Sequence, residues 1–178
     1  MQTSTVDLWD TIVAEARKES VLWSSALRPR EEQERQPVFS PLAESRYALG
    51  VETIYEGYLL HYGRPRLFTP EDDDTGLLLG DYLYAHGLVR IERVGRVEAV
   101  NDLAELIALC AYLQAEKIAG DGAVWAATSA LLGRNALDDP RSSLRLDNDP
   151  GPLERLAREA RGDMPVTRSL DAHRGRLR

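Results

Sequence analysis

The sequence predicts an all-α protein, a compact antiparallel helix bundle. Apolar side chains recur every three to four residues along most of the chain. Helix starts and stops are written in hydroxyl, proline and glycine residues. No segment alternates between turn signals as a strand would. VRIERV (89–94) alternates, but it continues a helical pattern without a turn.

The elements follow in order. Ser4 and Asp7 have the spacing of a capping box, and Val6, Trp9, Ile12, Val13 and Ala16 then form one apolar stripe. Trp23 lies in a second short apolar stretch ending at Arg28-Pro29, and residues 30–37 read as a solvated linker. Ser40-Pro41 predicts a helix start, with a hydroxyl cap and a proline where no amide is needed. That helix carries Tyr47, Val51, Ile54 and Tyr58 and stops near Gly63. Thr69-Pro70 predicts the next start, with Glu71, Asp72, Asp73 and Asp74 favouring the helix dipole, and Gly95 closes the helix.

Residues 96–119 are apolar on nearly every face at their centre, which predicts an enclosed helix. One more short helix covers 123–132. Residues 1–134 therefore read as a helical bundle domain. Residues 135–178 read as a polar loop, a short amphipathic helix and a mobile tail. The short helix has Leu153, Leu156, Ala157 and Ala160 on one face, and Glu154 stands four residues before Arg158.

Composition bounds the function. A chain of 178 residues with 43% hydrophobic and 29% charged residues suits one soluble globular domain. No apolar run reaches the roughly 20 residues needed to span a bilayer, and the N-terminus lacks the pattern of a secretory signal. The single cysteine, Cys110, excludes an internal disulfide and a cysteine zinc site, so a reducing, cytoplasmic setting is expected. A net charge of −7 argues against nucleic acid as a partner.

One region is less anonymous. Residues 77–116, LLLGDYLYAHGLVRIERVGRVEAVNDLAELIALCAYLQAE, resemble the trans-polyprenyl diphosphate synthase family, where Gly-Asp-x-Leu opens one helix before a long second one. Glu52-Thr53-Ile54-Tyr55, Leu59-Leu60-His61, Gly63-Arg64-Pro65 and Leu27-Arg28-Pro29 are similar to further family segments. The likeness spans roughly 25–118 in the family's order, and it implies the N-terminal half of the isoprenoid synthase fold.

The departures bear on chemistry. In that family an Asp-Asp-x-x-Asp motif holds the Mg²⁺ ions that neutralise a departing diphosphate. Tyr62-Gly63 stands at that place here, and the second aspartate-rich motif has no counterpart. Resemblance therefore implies a short non-catalytic subunit that pairs with a complete synthase and helps set isoprenoid chain length. It would carry no cofactor, Mg²⁺ being expected only in the catalytic partner. Self-association is the other expected pairing. A stand-alone helical scaffold, or an enzyme acting on prenyl diphosphates through Glu52 and Glu56, are the alternatives.

Among candidate residues, Arg28, Arg64 and Arg66 suit bidentate contact with a diphosphate. Glu52 and Glu56 share a helix face and read as a polar stripe beside the core. Asp81 reads as a buried strut needing a partner such as Arg46 or Arg64. Neither Asp72-Asp73-Asp74 nor Asp138-Asp139-Pro140 has the spacing of a metal site. His61, His86 and His173 lack metal spacing too, and Cys110 reads as core. Gly57, Gly76, Gly80 and Gly87 stand inside helices despite a propensity penalty of about 1 kcal/mol each, which predicts close helix packing.

Overall fold

A computed structural model describes residues 7–177. Among them nine α-helices form: α1 (Leu8–Glu19), α2 (Val21–Ser25), α3 (Ala48–Tyr62), α4 (Asp73–Val94), α5 (Val97–Glu116), α6 (Asp121–Ala130), α7 (Asp138–Asp147), α8 (Gly151–Arg161) and α9 (Asp163–Arg174). Two isolated bridges, Leu27 with Phe68 and Gly63 with Leu177, are the only extended pairings among the described residues. None of these helices is long and apolar enough to cross a membrane.

Side-chain caps fix several starts. Asp7 accepts from the Trp9 amide to open α1, while Ser4 lies outside the described residues. Ser20 opens α2 in the same way. Ser40-Pro41 opens a 3₁₀ turn (Ser40–Leu42), and a second turn (Ser45–Tyr47) leads into α3. The turn does not continue as a longer helix, because Ala43 is extended; the Ser40 amide donates to the Glu52 carboxylate at 2.9 Å. The start of α4 also shifts. Asp72 caps it by accepting from the Thr75 amide at 2.7 Å, while the Thr69 amide donates to the Ala26 carbonyl at 2.7 Å.

Enclosure falls on α3 rather than α5. Every residue from Gly50 to Leu60 is buried, whereas α5 leaves Ala104, Ala108, Ala111 and Tyr112 exposed. Alanine explains the difference, because a run rich in it looks apolar on all faces yet tolerates water at little cost.

Helices α3 and α4 pack very closely. A Cβ added to Gly57 would lie 2.8 Å from the Gly80 carbonyl oxygen, and one added to Gly87 would lie 3.1 Å from that of Gly50. Four glycines thus face one another pairwise along the seam, as the spacing of Gly57, Gly80 and Gly87 predicts. Gly76 instead meets Pro70.

The C-terminal quarter departs from expectation. The predicted loop contains α7, and the predicted mobile tail forms α9. Pro140 and Pro165 each occupy the third position of their helix, where no intrahelical amide is required. Leu137, Leu144, Leu153, Ala157 and Val166 join one continuous core with α3, α5 and α6. A boundary near residue 134 has no counterpart in this packing. A second core, built on Trp9, Ile12, Val13, Phe68, Leu79 and Leu83, fills the other side of the α3–α4 pair.

Candidate functional site

The most chemically loaded part of the molecule is a buried ion cluster on α3. Glu52, Glu56 and Arg66 have no exposed surface. Arg66 donates from Nη1 to Glu52 at 2.5 Å and from Nε to Glu56 at 2.9 Å. Glu52 also accepts from the Val38 and Ser40 amides, at 3.0 and 2.9 Å. Glu56 accepts from the Arg66 and Leu67 amides, at 2.8 and 2.7 Å. The guanidinium lies over the rings of Trp9 and Tyr55, 4.7 and 5.0 Å from their centroids. Burial pushes the Arg66 pKa down, but the charges of Glu52 and Glu56 outweigh it and hold the group above its ordinary value.

This cluster corrects two expectations. Arg66 faces its own carboxylates, with no surface left for a diphosphate. Glu52 and Glu56 stand inside the core, not beside it, and pin residues 36–40 and 66–67 to α3. An arginine ten residues beyond a helical Glu pair carries no sequence signal, because a loop brings it back.

Arg28 and Arg64 do come together. Both line a cleft of about 420 Å³ with Glu34, Phe68, Glu71, Asp72 and Asp73. Arg28 donates to the Phe68 carbonyl at 3.2 Å, and Arg64 to that of Gly175 at 2.6 Å. Glu34 receives Arg176 at 2.7 Å, and that hydrogen bond holds its carboxyl below the usual range. Four carboxylates against two guanidiniums make the lining net negative. Such a field opposes an unaccompanied diphosphate.

Asp81 is no buried strut. Its side chain is 66% exposed and lies 3.2 Å from His61, while Arg46 pairs with Glu44. An apolar neighbourhood in sequence misleads here, because the outer face of α4 carries leucines into solvent. No group of three or more His, Cys, Asp or Glu side chains able to hold a metal occurs among the described residues.

A second polar network was not legible in the sequence. Asp121, at the start of α6, accepts from His173 Nε2 at 2.9 Å and from the Tyr58 hydroxyl. His173 Nδ1 meets the Tyr55 hydroxyl at 2.9 Å, and Gln114 donates to Tyr58 at 2.9 Å. The network ties α9 to α3, α5 and α6. Its members lie 52 or more residues from His173 in Asp121 and Tyr55, and His173 falls in a stretch with tail composition. Both imidazole nitrogens are engaged, so the cluster holds α9 in place and presents no free base.

Burial raises the Asp121 carboxyl, but His173 and Tyr58 outweigh it and leave the pKa below the ordinary 3.8. A carboxyl titrating lower when folded contributes fully above its unfolded pKa and loses that contribution as pH falls through the folded value. Urea denaturation from about pH 5 to pH 3 should therefore show a steeper loss in the wild type than in Asp121→Asn. Parallel curves would remove this role.

Compared with protein-family models, curated proteins and solved structures, the chain finds no significant match in any of the three.

Proposed function

We propose that this chain is a non-catalytic, polyprenyl-synthase-like subunit that pairs with a catalytic trans-prenyltransferase and helps set isoprenoid chain length. The ordered likeness across residues 25–118 supports the family, and one structural observation carries the pairing. Around the contact of Trp23 with Tyr82, whose ring centroids are 5.6 Å apart, apolar side chains stand in water. Val21 is 87% exposed on α2, with Leu22 beside it, and Leu78 is 57% exposed one turn before Tyr82 on α4. Large apolar groups clustered on a surface mark interaction sites. The acidic pair best spaced for metal work, Glu52 and Glu56, is consumed by Arg66.

Co-expression with a complete trans-prenyl synthase tests the reading. A stable complex should form, its product length should differ from that of the synthase alone, and Leu78→Asp should release the subunit. Purified chain that elongates an allylic diphosphate unaided, or a synthase indifferent to its presence, would end the proposal.

A further inference from the structure

The cleft that holds Arg28 and Arg64 separates its charges into two ends. Backbone pairing brings the arginines together at one of them. The Arg28 amide donates to the Leu67 carbonyl at 2.9 Å, and the Arg64 amide to that of Arg176 at 2.8 Å. Arg176 in turn donates from Nη2 to Glu34 at 2.7 Å. That hydrogen bond, with the charges of Arg176, Arg64 and Arg28 behind it, holds the Glu34 carboxyl below its usual range. Three guanidiniums therefore share one carboxylate, which leaves this end positive.

Their donors are not used up. Arg28 engages only Nε and Arg64 only Nη2, each on a backbone carbonyl. The Arg176 side chain is 10% exposed, and its Nη1 is buried with no hydrogen-bond partner among the described residues. Buried donors normally find acceptors, so this end is short of them.

At the other end Glu71, Asp72 and Asp73 line the cleft where α4 begins. Asp72 is taken up by the Thr75 amide, and that bond rather than any arginine lowers its carboxyl. Glu71 and Asp73 are exposed and enter no ion pair among the described residues. A helix start contributes only about +0.5 charge, so three carboxylates keep this end negative. Leu60, Pro65 and Pro70 add apolar wall. Simple ions fit poorly. A lone anion meets the carboxylates, a lone cation meets the arginines, and the acidic side chains do not gather into a metal site.

We infer that the cleft binds a small dipolar molecule, with its carboxylate on Arg28 and Arg64, its ammonium on Glu71 and Asp73, and a short apolar body between. The volume of about 420 Å³ lies within the roughly 300–1,000 Å³ of small-molecule sites. Guanidinium forks match a carboxylate, and an ammonium needs only one or two oxygen acceptors. Binding is modest, because the acidic end stands in water, where ion pairs are weak. A short peptide with free termini and an ω-amino acid share this chemistry.

Titration calorimetry of the purified full-length chain tests this, with the dipeptide Leu-Leu as probe. A dissociation constant on the order of 0.1 mM is expected, the level that ordinary ligand efficiency allows a molecule of this size. N-acetyl-Leu-Leu lacks the ammonium and Leu-Leu-amide lacks the carboxylate, and each should bind about tenfold more weakly. Arg64→Gln should weaken Leu-Leu and leave Leu-Leu-amide unchanged. Glu71→Gln/Asp73→Asn should weaken Leu-Leu and leave N-acetyl-Leu-Leu unchanged. ε-Aminocaproate binding as tightly as Leu-Leu would identify the ω-amino acid class, and weaker binding the peptide class. Absence of heat with Leu-Leu at ~5 mM, equal binding of the capped forms, or tighter binding of pyrophosphate with Mg²⁺ would overturn the inference. No synthase takes part, so failure here leaves the proposed pairing standing.

Discussion

Arg66→Met is expected to lower the stability of the protein by about 3–5 kcal/mol, read from chemical denaturation at neutral pH. Glu52 and Glu56 have no exposed surface, and Arg66 is the cation that lies between them. Removing it leaves two carboxylates in a low-dielectric interior with only backbone amides for company. The Trp9 and Tyr55 rings lose their cationic neighbour as well. Replacing all three charges separates the causes. Glu52→Gln/Glu56→Gln/Arg66→Met should recover part of the loss, since a neutral cluster carries no uncompensated ion. A fall of under about 1 kcal/mol in the single variant would show that the cluster does not organise this core.

Gly57→Ala should destabilise the protein by about 1–3 kcal/mol through overpacking. On an ordinary helix the same change would stabilise by roughly 1 kcal/mol, so the sign is diagnostic. The added methyl would come within 2.8 Å of the Gly80 carbonyl oxygen, a backbone atom with no rotamer to change. Relief requires α3 and α4 to separate, and the seam that also holds Gly50 and Gly87 would open with them. A more stable variant in thermal denaturation would refute the close approach.

How much of this was legible depends on the range of each interaction. Helix type and order are local matters, and the glycine stops at Gly63 and Gly95 report them directly. The glycines of α3 and α4 also announced a close seam, because three of them interrupt helices at a cost that only packing explains. Pairings through loops left no trace. Arg66 returns to α3 by a turn, Arg176 to Glu34 across most of the chain, and His173 to Asp121 between distant helices. Proline misled in the opposite direction. At the third position of α7 and α9 it is compatible with a helix, yet in sequence it reads as a breaker. Asp81 and α5 failed for a shared reason: a run of apolar letters does not say which side of a helix meets water.

The two hydrophobic clusters lie on opposite sides of a single helix pair, and that arrangement limits how the molecule can come apart. Tyr55, Tyr58 and Leu59 of α3 line one cluster while Leu60 faces the other, and α4 divides Ile91 from Leu79 and Leu83 in the same way. A shared wall cannot be lost from one room alone. Melting on either flank strips the common helices of half their cover, so the chain has no seam along which a stable fragment could be cut.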